Sequence, residues 1–160
     1  MKILGICILL FTFLLVSREM TERRRRRVAL FEDCYRFIQH IRLQIGCYLR
    51  PVCDIAQNFE STHLSRVGFL DRLSAGETPM EALEHSLLRQ ELGEDAYRVL
   101  SSLFGTLGSG YMNDEMKLID GCASQFLRLL EAEREESPRG IRLIRTLCAG
   151  AALGIIIFVV

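Results

Sequence analysis

The chain has 160 residues, room for one domain, and its 20 Lys+Arg balance 20 Asp+Glu to a formal charge of zero. That balance excludes a generally basic protein that coats nucleic acid. Hydrophobic residues make up 49% of the chain, high for a soluble domain, and the excess sits at the two ends.

Ile3 to Val16 (ILGICILLFTFLLV) carries no charge. A run of about 15 residues reaches roughly 22 Å as a helix, short of the roughly 30 Å hydrocarbon layer. The same length suits a cleaved leader, so a secreted helical protein is the alternative reading. A signal peptide needs a cationic start and a small-residue cleavage site. Lys2 is the only early cation, and no A-x-A-like site follows Val16. Residues 1–17 are therefore expected to be an uncleaved transmembrane anchor. Arg18 and then five consecutive arginines, Arg23, Arg24, Arg25, Arg26 and Arg27, follow it. Nucleic-acid binding needs cations interleaved with aromatics on one face, and no aromatic follows until Phe31. The block is instead expected to hold the start of the next segment against anionic lipid headgroups.

Residues 18–145 read as an all-α helical domain. Phe31, Cys34, Ile38, Ile41, Ile45 and Tyr48 recur at spacings of three and four, the core stripe of a long helix. Pro51 breaks that helix and suits the first position of the next, whose apolar face is Val52, Ile55, Ala56 and Phe59. In "GETPMEALEHSLL", Thr78 can cap a helix, Pro79 presets its first turn, and Glu81 completes a capping box. Tyr97, Leu100, Phe104 and Leu107 form another stripe, with Gly108 placed to end it in a left-handed conformation. Asn113 is expected to cap the last helix, with Asp114 and Glu115 in its first turn and Met116, Ile119, Cys122, Phe126 and Leu130 on its buried face. No β-alternation or hairpin signal appears.

The closing run, Thr146 to Val160 (TLCAGAALGIIIFVV), is also uncharged and has no polar face. It is expected to be a second transmembrane helix, residues 146–160, with Arg142 and Arg145 laying their stems along lipid. Gly150 and Gly154 are four residues apart beside Ala149 and Ala151, a face that admits close approach of a partner helix. Arginines flank the inner side of both runs, Arg139, Arg142 and Arg145 at the second, and positive flanks stay in the cytoplasm. The central domain is thus expected in the cytoplasm, with both termini across the membrane.

The search for chemistry is nearly empty. "FGTLGSG" lacks the spacing and the lysine of a phosphate loop. Six cysteines form no Cys-x-x-Cys pair, and Cys34 and Cys122 fall on apolar stripes as small core residues. His85 and Glu81 share a helix face without a third ligand; a surface hydrogen-bonding pair explains them, and a membrane-anchored metal-dependent enzyme is the alternative. Ser101 and Ser102 have no adjacent base. The expectation is no enzyme, no cofactor, no metal, no nucleic acid and no small-molecule substrate.

The layout is recognisable. A short N-terminal span with a basic juxtamembrane helix, "GETPMEALEHSL", "LFGTLGSGYMNDE" and a Gly-containing C-terminal span resemble the stage III sporulation protein AB family over essentially the whole chain. Its most specific marks are Gly76-Glu77-Thr78 before a helix, and Phe104-Gly105 with Leu107-Gly108 after a Leu-rich one. The resemblance implies a membrane component of endospore-forming bacteria whose cytoplasmic helical domain is similar to the platform (F) proteins of type II secretion systems. It implies work beside a secretion-type ATPase and other membrane proteins, in a channel complex linking mother cell and forespore, on the mother-cell side of the outer forespore membrane. It carries no catalytic residues. Pro138 departs from the family pattern and leaves open whether the last helix is kinked or broken there.

Overall fold

Apolar residues spaced by three and four can be buried together only if the backbone winds into helices, and the computed structural model of the chain is helical. It describes residues 2–48, 58–107 and 112–159, and among them there is no strand. The helices are α1 (Lys2–Tyr48), α2 (Thr62–Arg66), α3 (Phe69–Ser74), α4 (Pro79–His85), α5 (Leu88–Leu92), α6 (Glu94–Thr106) and α7 (Met112–Val159). They form two compact units: Met1–Val28 with Ala132–Val160, and Ala29–Glu131. Among the described residues no helix is long and apolar enough to cross a membrane.

The second unit holds the hydrophobic core. From α1 it takes Phe31, Cys34, Ile38, Ile41 and Ile45 of the expected stripe, and also Leu30 and Phe37, while the side chain of Tyr48 lies outside the described residues. From α7 it takes Ile119, Cys122, Phe126 and Leu130 with Ala123, while Met116 is only half-buried. Leu100 and Phe104 of α6 are buried with Ala96 and Leu103; Tyr97 and Leu107 pack at the margin. Phe37 is the meeting point of the segments. Its ring centroid lies 5.2 Å from Phe59, 5.6 Å from Phe69 and 6.4 Å from Phe104, each approached edge-on, which is the arrangement that ring quadrupoles favour.

Helices α2 to α5 have only five to seven residues. At that length a helix does not persist alone in water, so caps and packing must hold each one. Ser61 caps α2: its Oγ accepts the Leu64 N–H at 3.1 Å and its hydroxyl donates to Asp33 Oδ2 at 2.7 Å. The other Asp33 oxygen takes Arg36 Nη1 at 3.3 Å. Asp33 is 9% exposed, and a carboxylate so covered persists only with partners of this kind. Arg42 and Asp120 form an ion pair that joins α1 to α7.

Several expectations are revised. Pro51, Val52, Ile55 and Ala56 lie outside the described residues, and Phe59 stands in an irregular segment before α2 rather than on a helix. It still packs on the core, because an aromatic ring can reach Phe37 without helical backbone. Asn113 is not a cap: α7 already includes it, beginning at Met112, with Asp114 and Glu115 in the first turn as expected. Helix α7 continues through Pro138. The ring removes a single amide donor and leaves the neighbouring turns bonded, so helix persists on both sides.

Phe37→Ala should destabilise the chain by about 3–5 kcal/mol, read by denaturant unfolding in detergent. Ser61→Ala should cost roughly 1–3 kcal/mol by removing the α2 cap and one of the two Asp33 partners.

Candidate functional site

In the first unit the arginine block is sorted by its partners. Arg23 Nε lies 3.0 Å from Glu19 and Arg26 Nε 3.3 Å from Glu22. Both pairs span four residues with the glutamate N-terminal, the better orientation on a helix. Arg27 Nε lies 3.3 Å from Glu133 and so ties α1 to α7. Arg18, Arg24 and Arg25 have no ion-pair partner among the described residues. The sorting was signalled by Glu19 and Glu22 standing four residues before Arg23 and Arg26, a spacing that reading the five arginines as one block overlooks. The side chains of Arg142 and Arg145 lie outside the described residues. The surroundings of Gly154 lie outside them too, while Gly150 is exposed and a Cβ there would meet no described atom within 4 Å.

In the second unit, the Gly76-Glu77-Thr78 stretch joins two helix ends back to back. Helix α3 closes with Gly76 N–H donating to Leu73 O at 3.1 Å and Glu77 N–H to Arg72 O at 3.2 Å. That pair of bonds needs a left-handed residue at Gly76, which has φ 93°. Thr78 then opens α4. Its N–H donates to Glu81 Oε2 at 3.0 Å, and the Glu81 N–H donates to Thr78 Oγ1 at 3.3 Å, with Pro79 in the first turn. The capping box is the expected one. Ala75 N–H donates to Asp71 O at 3.0 Å, so every amide donor from Ala75 to Thr78 is used. Bonds from the Thr78 backbone, and then its hydroxyl, hold the Glu81 carboxyl below the usual carboxylate range, with His85 adding a weaker pull.

That cap takes Glu81 away from His85. The imidazole Nδ1 instead lies 3.3 Å from Glu77 Oε2, whose other oxygen receives Arg72 Nη1 at 3.0 Å. The expected His85–Glu81 pair is therefore replaced by His85–Glu77. Gly105 stands inside α6, not after it, and Gly108 lies outside the described residues. Among the described residues no group of three His, Cys, Asp or Glu could hold a metal ion. A groove of about 310 Å³ is lined by Phe59, Glu60, Ser65, Leu70, Asp71 and Ser74 among others. No histidine or cysteine lines it, and the Ser61 hydroxyl on its wall is held by the α2 cap and Asp33. Burial, and then the Asp33 charge, push the Cys34 thiol up; burial does the same at Cys122. Both are core residues as expected, protonated at neutral pH and hidden from reagents.

Two glycines should respond with opposite signs. Gly76→Ala forces a Cβ into left-handed backbone and should cost about 1–2 kcal/mol. Gly105→Ala sits on an exposed helical turn with nothing within 4 Å and should gain about 0.5 kcal/mol. Thr78→Ala should cost about 1 kcal/mol through the lost cap. Because Glu81 ionises more readily in the folded chain, its contribution is present above the unfolded carboxylate pKa and disappears as the pH falls through the folded value. Unfolding measured against pH should therefore show a shallower acid limb in Glu81→Gln.

Comparison with curated proteins returned no match, and comparison with solved structures returned none. One family model does match, stage III sporulation protein AB, over residues 2–160. With nearly its whole length matched, the chain belongs to the stage III sporulation protein AB family, and its role lies in that stage of spore formation.

Proposed function

We propose that the chain is a non-enzymatic, membrane-anchored component of a secretion-like channel or assembly complex, acting as a platform beside a secretion-type ATPase. Residues 1–17 and 146–160 are its transmembrane helices, each short enough to need local thinning of the bilayer or the reach of flanking arginine stems. Residues 18–145 form its cytoplasmic domain, on the mother-cell side of the outer forespore membrane. The observation that carries the reading is the charge distribution. Arg18 and Arg23–Arg27 follow the first apolar run, and Arg139, Arg142 and Arg145 precede the last, so both runs carry their cations on the inner side. Family membership supports the place in sporulation. The platform role rests on the likeness of such helical domains to type II secretion platform proteins. A scaffold needs shaped surfaces rather than an activated nucleophile, and the second unit offers a capped, tightly packed helical body.

Topology is tested with a cysteine at exposed Glu84, the native cysteines being replaced by alanine. In intact cells Glu84→Cys should resist a membrane-impermeant thiol reagent, and after lysis it should react. Labelling before lysis would place the domain on the other side of the membrane.

The absence of catalysis is tested in the spore-forming host. Deleting the gene should stop sporulation, and His85→Ala combined with Glu81→Ala should leave it normal. Loss of sporulation in that double variant, with its unfolding midpoint within the range of the lost cap, would reject the non-enzymatic reading.

A further inference from the structure

The arginine block is not one surface. On α1 a residue turns 100° from its predecessor, so Phe11, Leu15, Arg18, Glu22 and Arg25 fall within an arc of roughly 80°. All five are exposed. Phe11 and Leu15 are 64% and 52% exposed, large apolar side chains left mostly uncovered among the described residues. The single anion of the stripe, Glu22, is neutralised by Arg26. One continuous exposed stripe therefore changes from apolar at Phe11 and Leu15 to cationic at Arg18 and Arg25. That is the sequence of environments met on leaving a hydrocarbon layer for its anionic headgroups. Arg24 belongs to a different face: with Ser17, Thr21 and Val28 it lies on an arc of roughly 60° whose members are all half-buried.

We propose that Arg18 and Arg25 are the lipid-binding residues of the block, their guanidinium groups taking the phosphates of anionic lipids, while Arg23, Arg26 and Arg27 are committed to Glu19, Glu22 and Glu133. The proposal rests on the membrane-anchored reading and deepens it. Seven residues of helix separate the two arginines by roughly 10 Å. The headgroup layer and one Debye length of about 8 Å together cover that depth. A planar guanidinium suits phosphate because it donates two parallel hydrogen bonds. The apolar half of the stripe makes a lipid leaflet the fitting occupant, since a soluble polyanion would leave Phe11 and Leu15 in water.

The test compares neighbours that share depth and charge and differ in face. Full-length chain is reconstituted in phosphatidylcholine vesicles carrying a trace of spin-labelled phosphatidylglycerol or spin-labelled phosphatidylcholine. The motionally restricted fraction of each label gives the preference for anionic lipid. Wild type should prefer phosphatidylglycerol. Arg25→Gln should lower that preference, by up to about fivefold for one surface cation, and Arg24→Gln by less than half as much. Arg18→Gln with Arg25→Gln should bring it close to unity, and Arg18→Lys with Arg25→Lys should retain most of it, which separates lost contact from lost folding. Equal losses for Arg24→Gln and Arg25→Gln, or no loss in the double variant, would overturn the assignment while leaving the anchor standing. Unchanged lipid preference with lost co-purification of membrane proteins would overturn it in favour of a protein partner. If neither label shows a restricted fraction with wild type, the anchored reading itself fails.

Discussion

One face of α1 does the organising. Asp33 and Phe37 stand four residues apart, one turn, and so project side by side into the second unit. The carboxylate takes the cap of α2 through Ser61, and the ring touches Phe59, Phe69 and Phe104. Helices of five to seven residues have no stability of their own to contribute. For α2 and α3 the long helix presents, within a single turn, a charge that fixes where α2 begins and a ring that packs on Phe69 of α3. The polar half of this pairing is the more exacting. An apolar contact weakens gradually as partners move apart, whereas a covered carboxylate that loses a donor incurs its desolvation at once.

The same economy governs the charged surface. A chain with as many acidic as basic residues can still present local positive potential if its anions are used up in particular places. Glu19, Glu22 and Glu133 absorb three arginines of the block, and the remainder is divided between an exposed and a half-buried face. Net charge per segment is thus a poor measure of what a partner meets; helical register decides it. Spore formation at stage III is the setting that the family provides.

Much of this was legible before any coordinates. The stripes on α1, α6 and α7 follow from periodicity, and the box at Thr78 and Glu81 follows from local chemistry that needs no tertiary partner. What sequence could not provide were choices among equally eligible partners. Phe37 interrupts no pattern and simply widens a stripe, so its role as the contact of three remote rings depends on how segments far apart in the chain meet. His85 had two glutamates within reach, and the cap claimed Glu81. The spacing of Val52, Ile55, Ala56 and Phe59 suits one helix face, yet packing constrains where a ring sits more than what backbone carries it. The arginine pairs were readable from i, i+4 spacing; Glu133 as a third partner was not, being more than a hundred residues away.

The connection between α3 and α4 is closed on both sides and bridged by one side chain. Most surface loops have amides bonded to water, and those bonds exchange freely, so the flanking elements can swing. From Ala75 to Thr78 each amide is already spent within the chain, and Pro79 has none to offer. The backbone bonds serve each helix separately, and what runs from one to the other is the Arg72–Glu77–His85 bridge, which rotation of α4 against α3 would have to break. The corner is thus coupled by charged side chains on its surface, with Glu77 as the residue that both helices share.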